Sequence, residues 1–131
     1  MRRPVAVLIA VLFLVAGCSS TTDISVNAGS ATVHVGDHLH VTFGQVNASI
    51  GDGWFLTTPP DSAVLTDGGY ESAGCASAGC GAEAWWNFTA ASAGTTTAVF
   101  QYCYRSRPPN CEPGPGAGPN EPVKLAITVS A

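Results

Sequence analysis

The chain has 131 residues, of which 46% are hydrophobic and only 11% charged, with a formal net charge of −4. That length suits one domain and leaves no room for two. Five cations face nine carboxylates, and a surface that acidic repels phosphate backbones, which excludes nucleic acid as a partner.

Arg2 and Arg3 precede an apolar run from Val5 to Ala16 that ends in Gly17-Cys18. A basic start, a short apolar stretch and small residues before a break predict an export signal. A membrane-spanning helix would need ~20 apolar residues. Val15-Ala16-Gly17-Cys18 resembles the lipobox of bacterial lipoproteins. That resemblance implies removal of residues 1–17 and acylation of Cys18, with diacylglycerol and a palmitate-type chain. The protein is then expected at the extracytoplasmic face of the cell membrane, held by its lipid. Each buried methylene contributes ~0.8 kcal/mol, so one chain is a marginal anchor and two or three a lasting one. The simpler alternative is an ordinary secretory signal in which Cys18 is incidental. Once residues 1–17 are gone, only Arg105, Arg107 and Lys124 balance the carboxylates, so no polybasic patch helps attachment.

Residues 18–23 read as the acylated cysteine and a polar tether, and residues 24–131 as the domain. Strand patterns fill the domain, and no helical period stands out. From Ala31 to Phe43, Val33, Val35, Leu39, Val41 and Phe43 share one parity, and Gly36-Asp37 interrupts the run as a turn. In Glu83 to Ala90, Trp86 and Phe88 alternate with Trp85, Asn87 and Thr89. That parity places Trp86 in the core and Trp85 outside. Thr96 to Tyr104 puts Ala98, Phe100 and Tyr102 on one face. The closing strand sets Val123, Leu125, Ile127 and Val129 against Lys124, Ala126, Thr128 and Ser130. Shorter candidates are Ile24 to Val26, Trp54 to Thr57 and Ala63 to Leu65. Pro109, Pro113, Pro115, Pro119 and Pro122 crowd one stretch, which must be a stiff loop because proline removes ladder donors. About seven short strands separated by Gly, Pro and Asp clusters predict an all-β, antiparallel β-sandwich.

Cys75, Cys80, Cys103 and Cys111 remain beside Cys18. An even number of thiols in an exported domain reads as disulfides. Pairing Cys75 with Cys80 and Cys103 with Cys111 closes the shortest loops; crossed pairing between the two stays open. No G-x-S-x-G elbow, H-E-x-x-H helix or phosphate loop is present, so the chain reads as a non-enzyme that needs no cofactor. His34, His38 and His40 share a parity with Asp37 among them. Imidazoles on strands can converge on zinc or copper, but the spacing places no further ligand. They are read as a polar outer face, with no metal assigned.

Three segments taken together resemble the chagasin family of cysteine-peptidase inhibitors, which are small immunoglobulin-like sandwiches with three binding loops at one end. The family's first loop, N-P-T-T-G-aromatic-x-W, is matched by Asn47-Ala48-Ser49-Ile50-Gly51-Asp52-Gly53-Trp54, where Asn47, Gly51 and Trp54 hold the frame. The second, G-x-G-G before an aromatic strand, is matched by Gly79-Cys80-Gly81-Ala82 ahead of Trp85-Trp86. Ala93-Gly94-Thr95 leads toward Tyr102 as the family's A-G-T leads to its tyrosine. The third loop, R-P-aromatic, is matched by Arg107-Pro108-Pro109 without its aromatic. The approach Ala31 to Asp37 is similar to the family's opening hairpin.

The resemblance implies that Ser49, Ile50 and Gly51 cover the catalytic cysteine of a papain-like peptidase. It further implies that Gly79 and Gly81 bring backbone against the enzyme, and that Arg107 and Pro108 pack on the cleft wall. Asp52 then stands where an aromatic is expected. The alternative is a surface or envelope lipoprotein that reuses the scaffold to bind a protein without inhibiting it.

Overall fold

The computed structural model describes residues 18–75, 77–114 and 121–131. The expected signal segment, residues 1–17, lies outside them, as do Pro115 and Pro119 of the proline-rich stretch. Eight strands form two four-stranded sheets: β1 (Thr21–Ser25), β2 (Ser30–His34), β3 (His38–Val46), β4 (Asp52–Thr58), β5 (Leu65–Ser72), β6 (Ala82–Ala90), β7 (Gly94–Tyr104) and β8 (Val123–Ser130). One sheet has the order β1-β3-β6-β5 and the other β2-β8-β7-β4. The expected sandwich is therefore present, with one strand more than the sequence suggests.

It is not purely antiparallel. β1 pairs with β3 and β2 with β8 in parallel. The chain runs up and down between the two sheets, so β1 and β3, separated by a strand of the other sheet, point the same way. The Gly36-Asp37 corner accordingly joins strands of opposite sheets and is not the turn of a hairpin. The first strand begins at Thr21, three residues ahead of the Ile24 at which the pattern starts.

Between the sheets lie Val33, Leu39, Val41, Leu65, Phe88, Phe100, Leu125 and Ile127, all buried. Val35, which shares their parity in sequence, is 45% exposed because it sits at the corner where the chain changes sheet. A register shift between Thr42 and Gly44 turns Val46 inward after Phe43. At one end of the core the rings of Phe43 and Trp54 stack at 4.9 Å. Phe100 meets Phe43 edge-on at 5.5 Å and Tyr102 meets Trp54 at 5.8 Å. This aromatic layer is a stiff floor for the connections above it, since large rings have few torsions to lose.

Trp86 faces inward as its parity requires and packs against the core, yet it remains half-buried at the β5 side. Trp85 faces outward but is also half-buried, because its ring lies against His40 at 5.7 Å.

The three histidines do not converge. His34 Nδ1 lies 3.6 Å from Asp37, His40 Nδ1 lies 3.0 Å from Asp23, and His38 Nδ1 faces Thr89 Oγ1 at 3.3 Å. His34 belongs to one sheet and the other two to its partner. Among the described residues no three His, Cys, Asp or Glu side chains gather as a metal site would require.

Candidate functional site

Three connections meet at the end of the sandwich that carries the aromatic floor. The first, Asn47 to Asp52, crosses from β3 to β4; the second, Ala73 to Gly81, joins β5 to β6; the third leaves β7 at Tyr104 and returns at Val123. Asn47 caps a short 3₁₀ turn, Ala48–Ile50, by accepting from Ser49 N–H at 3.1 Å through Oδ1. Its Nδ2 donates to the Gly79 carbonyl at 2.8 Å and so fastens the first loop to the second.

Gly51 ends the turn at φ 104°, in the left-handed region. A Cβ there would collide with Arg105 Cγ, so two independent constraints demand glycine. Arg105 fastens the first loop to the third: its N–H donates to Gly51 O at 2.9 Å and its Nε to Ile50 O at 3.0 Å. Its guanidinium lies 5.2 Å from the centre of the Tyr104 ring.

Asp52 does not occupy the place of an exposed aromatic. Its Oδ2 accepts from Asn47 N–H at 3.1 Å and its Oδ1 from the Tyr102 hydroxyl. Burial, then the neighbouring carboxylate of Asp52, push the Tyr102 hydroxyl up to about 12, so it stays a donor at any ordinary pH. The carboxylate therefore closes the base of the first loop from below.

Each flanking loop is tied by a disulfide, Cys75 to Cys80 in the second and Cys103 to Cys111 in the third, which is the pairing of nearest neighbours. Cys103 is fully buried beneath the third loop. That loop folds back on itself where Asn110 N–H donates to Arg107 O at 3.1 Å and Tyr104 N–H to Glu112 O at 3.0 Å. The Asn47 side chain thus ties the first loop to the backbone of the second, the Arg105 side chain ties the third to the backbone of the first, and Ser49 and Ile50 stay outward, both exposed, with Ile50 42% accessible.

Residues 32–114 match the chagasin family peptidase inhibitor I42. The chain belongs to the chagasin family. It is a peptidase inhibitor by family and not an enzyme. No curated protein matches the chain. Among solved structures, the crystal structure of the cysteine protease inhibitor EhICP2 from Entamoeba histolytica is similar, with a TM-score of 0.59 at 16% identity over 85% of this chain and 96% of that one. The solution structure of Amebosin is similar with a TM-score of 0.57 at 18% identity, over 87% of this chain and 100% of the other. At such identities these two likenesses bear on the sandwich alone.

Within this chagasin-family fold the expected site residues play unequal parts. Asn47, Ser49, Ile50, Gly51, Gly79 and Gly81 sit together at the first and second loops, with Gly81 packed so that a Cβ would stand 3.0 Å from Gln45 Oε1. Trp54 is half-buried, and its ring lies in the aromatic floor beneath the first loop. Arg107 and Pro108 stand at the turn of the third loop. Sequence reasoning missed Arg105, which makes the direct bonds to the first loop. Its signal in the sequence is its position immediately after the strand that ends in Tyr104, two residues ahead of the Arg107-Pro108 match.

Proposed function

We propose that the three-loop end occludes the substrate cleft of a papain-like cysteine peptidase, with Cys18 acylated and holding the domain at the extracytoplasmic face of the membrane. The observation that carries the reading is the first loop: an exposed Ser49-Ile50 tip whose backbone is fixed from both sides, by Asn47 through Gly79 and by Arg105 through Ile50. A peptide substrate must lie extended to offer its carbonyl to the catalytic thiolate. This tip is a 3₁₀ turn, which fills space over a catalytic pair without presenting a bond for attack. Because the loop is held before it meets the enzyme, little ordering entropy opposes binding. The family membership, and the similarity to a cysteine protease inhibitor of Entamoeba histolytica, support the class of target.

A second reading has its own support. Neither the first loop, with Asp52 turned inward, nor Arg107-Pro108-Pro109 offers an aromatic anchor, and such anchors often contribute 2 kcal/mol or more to an interface. On that reading the same end binds a protein without inhibiting it.

Titration of residues 18–131 carrying Cys18→Ala against papain and a cathepsin-type peptidase separates the two. Competitive, reversible inhibition without cleavage between Asn47 and Trp54 is expected. No slowing of any papain-type enzyme at ~10 μM, where a weak but specific complex would already form, overturns the inhibitor reading.

A further inference from the structure

The described residues hold three cations, Arg105, Arg107 and Lys124, against nine carboxylates. Two of the three stand at the loop end. They rim a notch of about 290 Å³ between the first and third loops, lined also by Gly51, Gly53, Phe55 and Ser106. Asp52 lines it too, but both of its oxygens already accept, from Asn47 N–H and the Tyr102 hydroxyl. Glu112, the third loop's own carboxylate, lies on the return limb and does not line the notch. Arg105 is fixed by Ile50 O and by the Tyr104 ring. Arg107 is exposed, its backbone set by the turn to Asn110, and among the described residues its guanidinium meets no side-chain partner.

From this arrangement we infer that the notch is an anion-accepting subsite for a carboxylate that the target presents beside its cleft, so that the chain selects peptidases with an acidic rim. The inference rests on the inhibitor reading. A guanidinium takes a carboxylate through a planar fork of donors, and Arg107 has that fork free. The rest of the surface is acidic and repels an acidic partner. The paired arginines of the notch give it a local attraction, which steers the last part of the approach. Such steering acts on the association rate and fades as salt shortens the reach of the charges.

The test measures association rates with papain-like peptidases of acidic and of basic cleft rim, at ~0.02 M and ~0.5 M salt, across which the screening length falls several-fold. Expected is faster association with the acidic-rimmed enzymes and a fall of about tenfold at high salt, within the range that steering supplies. Arg107→Gln should lower the low-salt rate by about tenfold and flatten the salt dependence, while Arg107→Lys keeps most of the rate because steering reads charge. An unchanged thermal midpoint for both variants shows that the loop end remains folded. Inhibition that is insensitive to salt and to Arg107→Gln overturns the inference and leaves the inhibitor reading standing. Absence of inhibition by the natural chain at both salt concentrations overturns both.

Discussion

Asp52 shows how one side chain can keep a loop's shape while changing how it is held. Its carboxylate collects Asn47 N–H at the start of the first loop and the hydroxyl of Tyr102 from the strand below. The sequence alone places Asp52 where an aromatic would face the enzyme, which suggests that Asp52→Phe would tighten binding. The two hydrogen bonds of Asp52 argue the other way. Phenylalanine supplies no acceptor, so two partly buried donors would lose their partner at ~1–3 kcal/mol. Asp52→Phe is expected to lower stability by about that amount and to weaken inhibition at least tenfold, as 1.4 kcal/mol at the loop would. A denaturant titration beside an inhibition assay checks both, and a tighter inhibitor would show that the carboxylate does not frame the loop. Asn47 and Gly51 were legible in sequence because their roles are local: a cap to Ser49 and a left-handed turn. The role of Asp52 depends on Tyr102, fifty residues away, and that of Arg105 on Ile50. No local pattern carries either.

Strands were legible in proportion to how strictly one face is buried. β8 alternates without a fault, with Leu125, Ile127 and Val129 all buried. β5 was nearly invisible. Beyond Leu65 it reads Thr-Asp-Gly-Gly-Tyr-Glu-Ser, pairs only with β6 at the sheet edge, and shifts register between Asp67 and Gly69. Exposed on most of its length, it has no core face to impose alternation. The parity of β6 read correctly, but the depth of its two tryptophans did not, because depth depends on cover from other strands. Trp86 meets Tyr70 and Phe100 edge-on, each at 6.2 Å, and donates to Asp67 at 2.6 Å, while Trp85 touches the His40 ring on the outer face. Trp86→Ala should therefore cost about 3 kcal/mol, at the low end for a large aromatic because the site is only half-buried. Trp85→Ala should cost about 1 kcal/mol, the stacking contribution of an outer ring. Equal losses in chemical denaturation would show that the inner face of β6 does not depend on Trp86.

On the scale of the whole molecule, the two ends of the sandwich are distinct. β1 enters beside the start of β3, where Thr21 pairs with His38, whereas the first loop leaves β3 at Val46. At ~3.3 Å per residue a nine-residue strand separates those ends by roughly 25 Å. The entry end is clamped by Asp37, which accepts from Ser20 N–H at 3.1 Å and from His34 N–H at 2.9 Å. Those backbone donors, His34 first, hold the Asp37 carboxyl below the usual carboxylate range. A lowered carboxylate contributes its stability in full above its unfolded-state value and loses it as pH falls through the lowered one. The chain is thus pinned at Ser20, two residues from Cys18, which is exposed and is the free cysteine among the described residues. A lipid on Cys18 would fix this end to the bilayer and turn the three loops away from it, toward an enzyme in solution. The full-length protein is then expected in the membrane fraction, with acyl mass on Cys18, and Cys18→Ala in the soluble fraction with its inhibition intact. Wild-type protein that lacks acyl mass and stays soluble would show that the anchor is absent, while the loop end would keep its geometry.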